Sequence, residues 1–180
     1  MKKFLLSVLL AAGCVALHAE TPMVRQTRFE GRNITGVVAG SSFNVEVYQS
    51  DTTRAIVEIP AELQEFLIFQ IDSQGVVTLG LDYSWKKKNN VLNEIMRNLR
   101  SNGAQMKAKI YITGLRVLKA SSSARIRPMT PLTGNSAELG ISSSGRIENL
   151  KLNATGRVRL ALSSSGRLTN AEIAAQDLDC

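Results

Sequence analysis

The chain has 180 residues, 44% of them hydrophobic and 21% charged, with a formal net charge of +7. That much apolar side chain excludes disorder, and the length suits one domain. The single histidine, His18, and one of the two cysteines, Cys14, fall within the first 19 residues, which read as a removable leader. Without them the chain holds no Ser–His–Asp or Cys–His machinery, no histidine-containing zinc site and no intrachain disulfide.

The leader begins with Lys2 and Lys3, continues through the apolar run Phe4 to Leu17, and offers Ala19 as a small residue for cleavage. This is the pattern of a secretory signal peptide over 1–19. The run is 14 residues long, short of the ~20 that a spanning helix needs. A second reading is lipidation at Cys14 after Leu10-Ala11-Ala12-Gly13, although Ala11 stands where a lipobox usually has leucine. Both readings export the protein, to the periplasm, the outer membrane or the cell surface. Membrane association is expected only if Cys14 is lipidated.

The remainder, 24–180, reads as a single domain, with N-terminal strands and a helix over 24–113 and regular repeats over 114–180. Phe43 to Tyr48, Arg54 to Ile59, Val76 to Leu81 and Lys107 to Ile112 alternate apolar and polar residues, as half-buried strands do. Between Trp85 and Gly103 the period changes. Val91, Leu92, Ile95, Met96 and Leu99 fall on one face, which predicts an amphipathic helix near 89–101.

From Leu118 onward the chain repeats. The segments starting Leu118-Lys-Ala-Ser-Ser-Ser-Ala-Arg-Ile126, Leu139-Gly-Ile-Ser-Ser-Ser-Gly-Arg-Ile147 and Leu160-Ala-Leu-Ser-Ser-Ser-Gly-Arg-Leu168 align without gaps at a period of 21. A fixed period of this size marks a β-solenoid. Turn-forming residues recur every ten or eleven positions, so each 21-residue coil is expected to be two strands in two sheets, with glycine at the corners supplying positive φ. Stacking then predicts aliphatic columns: Leu118, Leu139 and Leu160; Ala120, Ile141 and Leu162; Ile126, Ile147 and Leu168; Pro131, Leu152 and Ile173. No aromatic residue follows Tyr111, in keeping with a narrow aliphatic core.

The segments Phe29-Glu-Gly-Arg-Asn-Ile-Thr-Gly-Val37, Gly40-Ser-Ser-Phe-Asn-Val-Glu-Val-Tyr-Gln49 and Tyr111-Ile-Thr-Gly-Leu-Arg-Val-Leu118 occur in an order that resembles the auto-transporter adhesin family called the head GIN domain. In that family Gly-Ser-Gly turns stand where this chain has Ser-Ser-Ser-Gly-Arg. The resemblance covers nearly all of 28–180. It implies an all-β, two-sheeted right-handed β-helix, similar in shape to pectin-lyase-type solenoids but without their catalytic residues. It also implies a bacterial envelope protein whose presumed role is adhesion. The chain departs in placing arginine in its repeat turns and in stopping after three clear coils where relatives often run further.

The candidate ligand-binding residues are Arg125, Arg146 and Arg167, which recur at one corner of successive coils, and Arg157 on the opposite turn. Residues 112–180 hold 9 basic and 5 acidic side chains, whereas 20–111 hold 11 and 10, so the basic excess sits with the repeats. A ladder of guanidinium forks suits the sulfate, phosphate or carboxylate groups of an acidic glycan or surface polymer, and equally a merely soluble turn. The serine triplets 121–123, 142–144 and 163–165 have no base nearby and read as corner residues bonding one another and the backbone. Carboxylates do not repeat at the 21-residue period, so no catalytic residue, metal site or cofactor is assigned. The expected function is a secreted, non-enzymatic interaction module of the envelope or surface. A polysaccharide-active enzyme on a pectin-lyase-like β-helix and a periplasmic scaffold stand as alternatives. No nucleic-acid partner is expected. Self-association through an open C-terminal edge, with Cys180 as a free thiol, is.

Overall fold

The computed structural model describes residues 21–84 and 86–180, with side chains from residue 90 onward within the helix. The leader, with Cys14 and His18, and Trp85 lie outside the described residues. The N-terminal part contributes β1 (Met23–Arg28), β2 (Gly36–Ala39), β3 (Asn44–Gln49), β4 (Arg54–Pro60), a 3-10 turn at Ala61–Phe66, β5 (Leu67–Ile71) and β6 (Val76–Leu81). Helix α1 (Lys86–Ser101) and β7 (Lys107–Ile112) follow. The repeats supply β8 (Val117–Ala120), β9 (Arg125–Pro128), β10 (Leu132–Gly134), β11 (Ala137–Ile141), β12 (Arg146–Glu148) and β13 (Lys151–Ala154). The last elements are β14 (Arg157–Leu162), β15 (Arg167–Thr169), β16 (Glu172–Ala174) and β17 (Asp177–Asp179).

These strands do not make the expected two-sheeted right-handed β-helix. They form three sheets: a seven-stranded sheet ordered β1-β4-β7-β3-β9-β12-β15, a second seven-stranded sheet ordered β17-β14-β11-β8-β2-β6-β5, and a three-stranded sheet β10-β13-β16. Both large sheets are mixed. The pairs β1–β4 and β4–β7 in the first, and β5–β6 in the second, are antiparallel, while the others are parallel. Two physical causes separate the structure from the expectation. Each 21-residue segment makes three short strands rather than two; in the second and third segments Asn149 and Asn170 adopt φ of 59° and 51° and turn the chain after β12 and β15. Asparagine tolerates this left-handed conformation, and Asn170 Nδ2 donates to Asn149 Oδ1 at 3.2 Å, joining the two corners. In addition, β5 and β6 are joined by a hairpin at Asp72 to Gly75, which reverses the strand direction.

The corners at the serines are also built differently from the expectation. Ser122 and Ser123, Ser143 and Ser144, and Ser164 and Ser165 carry the positive φ values, from 46° to 64°, and the following glycines do not. Each pair forms the centre of a turn closed by an i+3 bond, such as Gly145 N–H to Ser142 C=O at 2.7 Å. Two consecutive left-handed residues define a type I′ turn. The cost to a non-glycine residue is offset by bonds between layers, in which Ser42, Ser123 and Ser144 N–H groups donate to the carbonyls of Ser122, Ser143 and Ser164 at 3.0–3.1 Å. Gly145 and Gly166 are instead required by crowding, since a Cβ there would lie 2.3 Å and 2.4 Å from the carbonyl oxygens of Ala120 and Ile141. The same corner occurs once more, at Ser41 and Ser42 between β2 and β3, with φ of 51° and 63°. The serine hydroxyls do not bond one another. Ser41 Oγ accepts from Leu81 N–H at 3.0 Å, and the hydroxyls of Ser42 and of the three triplets have no protein partner among the described residues.

The core lies between the sheets. Leu118, Leu139 and Leu160 are in register, as are Ala120, Ile141 and Leu162, and Ile126, Ile147 and Leu168. The fourth column is Leu132, Leu152 and Ile173 rather than Pro131, which is exposed. Leu139, Ile141, Ile147 and Leu152 are buried, but Leu160 is half-buried and Leu162 is 52% exposed. Aromatics Phe43, Phe66 and Phe69 fill the wider N-terminal core. Helix α1 spans the predicted segment. It seats Leu92 and Leu99 against the body, half-buries Ile95 and Met96, and leaves Val91 exposed.

Candidate functional site: a basic row across the first sheet

In the first sheet Arg125, Arg146 and Arg167 stand in register on β9, β12 and β15. Their neighbours in sequence, Ile126 and Ile147, point into the core, so the arginines occupy the outer face. The row continues beyond the repeats. Arg125 pairs with Asn44 on β3, Asn44 with Lys107 on β7, Lys107 with Glu58 on β4, and Glu58 with Arg25 on β1. Five cations and one carboxylate thus lie along one line. At ~4.8 Å per strand, the line is about 29 Å long.

Neutralisation along the row is uneven. Glu58 lies 3.7 Å from Arg25. Glu148 faces both Arg125 Nε and Arg127 Nε at 3.0 Å. The Arg127 contact is a hydrogen bond, whereas Arg125 Nε is buried and poorly angled, so its contact is ionic only. Lys107, Arg146 and Arg167 have no carboxylate partner among the described residues. Beside the row, Lys109 and Glu46 approach to 3.6 Å and balance each other. A depression of about 400 Å³ crosses this face between β4 and β9, with Ile56 and Ala108 in its lining and Glu46, Glu58, Lys107 and Lys109 around them.

Arg157 does not join this row. It lies on β14 in the second sheet and is held by Asp177 at 2.5 Å. Lys107, Asn44 and Arg25 escaped the sequence reading because they belong to non-repeating strands. The alternation of Lys107 to Ile112 marked β7 as a strand, but only its pairing with β3 places Lys107 beside the arginines.

Further along the same face, Tyr48 and Tyr111 stack with ring centroids 5.0 Å apart, and the Arg54 guanidinium lies 4.3 Å from the Tyr111 ring. Tyr48 donates its hydroxyl to Glu46 at 2.8 Å. Burial, then the bond and charge of Glu46, then Tyr111, push the Tyr48 phenol up to about 12. Among the described residues, no group of three His, Cys, Asp or Glu is arranged to hold a metal, and no helix is long and apolar enough to cross a membrane.

The family model described as "Putative auto-transporter adhesin, head GIN domain" matches residues 33–180, and the chain belongs to that family. Membership points to an envelope or surface location. Among solved structures, the chain is similar to one described as a "putative adhesin" from Bacteroides fragilis, at 14% identity and a TM-score of 0.56, over 79% of this chain and 60% of that one. A second "putative adhesin", from Parabacteroides distasonis, is 12% identical with a TM-score of 0.51, over 80% and 59%. A protein described as a "putative lipid binding protein" from the same organism is 15% identical with a TM-score of 0.50, over 80% and 61%. The chain spans about three-fifths of the length of these structures, and the likeness is one of fold. No curated protein matches it.

Proposed function

We propose that the protein is an exported, non-enzymatic interaction module of the bacterial envelope that binds acidic polymers across its first sheet. The observation that supports this most is the row itself: Lys107, Arg146 and Arg167 hold positive charge without a carboxylate partner among the described residues, on a line that also carries Arg125 and Arg25. Like charges at strand spacing repel, and salt screens this only over about 10 Å at 0.1 M. A polyanion laid along the row relieves that repulsion and offers its oxygens to guanidinium forks. Adhesion, the role for which the family is named, fits an open charged face better than an enclosed reaction site. A chain cleaved after Ala19 also lacks histidine, since His18 is the only one in the sequence.

The test is retention on immobilised heparin. Wild-type protein is expected to bind at low salt and elute as salt rises. The triple change Lys107→Gln, Arg146→Gln and Arg167→Gln is expected to abolish retention with little change in thermal stability, because all three side chains are exposed. Wild-type protein that passes through at low salt would sink the proposal.

A further inference from the structure

A groove of about 380 Å³ opens between the C-terminal half of α1 and the stacked serine corners. Its floor is apolar, with Leu63, Leu99 and Met106 buried beneath it and Met96 half-buried along its side. Its rim is cationic. Arg100 reaches it from the helix and Arg146 from β12, and neither has a carboxylate partner among the described residues. Arg125, already balanced by Glu148, also lines the groove, and it and Arg146 belong to the row on the first sheet. The hydroxyls of Ser123 and Ser144 line the same rim without a protein partner among the described residues. A second, more polar depression shares Ser42, Ser123, Met96 and Arg100 with the first.

Apolar floor, two unopposed guanidiniums and free hydroxyls together fit one chemical class of ligand. A neutral apolar molecule would gain nothing from either arginine, and a small inorganic anion would leave the floor uncovered. We propose that this groove binds a single-chain fatty carboxylate. The acyl chain lies over Leu63, Leu99 and Met96, and the carboxylate accepts hydrogen bonds from Arg100 and Arg146. A guanidinium fork matches the two oxygens of a carboxylate. The volume falls within the range of about 300–1,000 Å³ typical of small-molecule sites. At about 30 Å³ for each water-sized group, that volume corresponds to roughly a dozen methylenes, the size of one acyl chain. The groove overlaps the polymer-binding row at Asn44, Arg125 and Arg146, but Arg100 and the apolar floor belong to it alone.

Fluorescence titration of the full chain with dansyl-labelled undecanoate tests the proposal. Saturable binding is expected, weakened about tenfold by Arg100→Gln and by Arg146→Gln, the loss usual for one charge-assisted bond. Arg167→Gln is expected to leave it unchanged while lowering heparin retention, and Arg100→Gln to do the reverse, so the two proposals fail separately. In competition with unlabelled fatty acids, affinity is expected to rise about fourfold per added methylene until the groove is filled. Binding that does not saturate, that is equalled by a trimethylammonium amphiphile of the same chain length, or that survives Arg100→Gln intact would overturn the proposal.

Discussion

Gly145 and Gly140 stand five residues apart in one repeat, and the structure assigns them opposite sensitivities. A Cβ at Gly145 would lie 2.3 Å from the Ala120 carbonyl oxygen, 2.5 Å from its carbon and 2.9 Å from Ser121 N. All three are backbone atoms, so no side chain can swing aside. The Ala120 carbonyl is also the acceptor for Ser142 N–H at 3.0 Å, a bond that joins adjacent layers. Overpacking of this kind costs about 1–3 kcal/mol, and the displaced hydrogen bond adds about 1 kcal/mol. The sum for Gly145→Ala is about 3 kcal/mol. For a chain of this size that corresponds to a fall in Tm of about 6–12 °C, measured by circular dichroism. At Gly140 the added Cβ meets Lys119 Cγ at 3.0 Å, Cδ at 3.4 Å and Cε at 3.5 Å, all in one flexible side chain. Gly140→Ala is therefore expected within about 0.5 kcal/mol of wild type. A Gly145→Ala protein melting within about 2 °C of wild type, or a Gly140→Ala protein losing as much as Gly145→Ala, would refute the account of the corner as a backbone-to-backbone contact.

Two neighbouring aliphatic columns make a graded prediction: Leu139→Ala, fully buried, is expected to cost about 2–5 kcal/mol, and Leu162→Ala, 52% exposed, less than about 0.5 kcal/mol, both read from urea midpoints. Tyr48, with its phenol pushed up to about 12, is expected to ionise last in an ultraviolet titration of the folded chain, and Glu46→Gln to bring it down. Because its folded pKa lies above the ordinary phenol value of about 10, its contribution to stability is complete below that pH and is lost as pH rises toward 12. Asn149→Ala is expected to lower stability by about 1–2 kcal/mol, since alanine tolerates φ of 59° poorly and the bond from Asn170 is lost.

Alternation in Asn44 to Gln49 and Lys107 to Ile112 was enough to mark strands, because a side-chain period of two follows from the pleat alone. The amphipathic stripe through Leu92 and Leu99 likewise marked α1. The 21-residue period placed Arg125, Arg146 and Arg167 in one column, since identical segments pair in parallel at a constant offset. Local pattern could not count the sheets. Whether Asn149 and Asn170 turn the chain or continue it depends on bonds to the next layer, so three sheets were misread as two. Nor did the glycine spacing reveal which corner residues carry positive φ. The serines take it, and Gly145 and Gly166 answer instead to carbonyls about 25 residues earlier in the chain. The same limit applies to the charged row. Arg25, Lys107 and Arg167 are separated by up to 142 positions in the sequence and become neighbours of one line only through the pairing of seven strands. Periodicity is written in the sequence because side-chain direction is a local property of the backbone. Register between non-repeating strands is decided by the packing of the whole core, and that exists only in the folded chain.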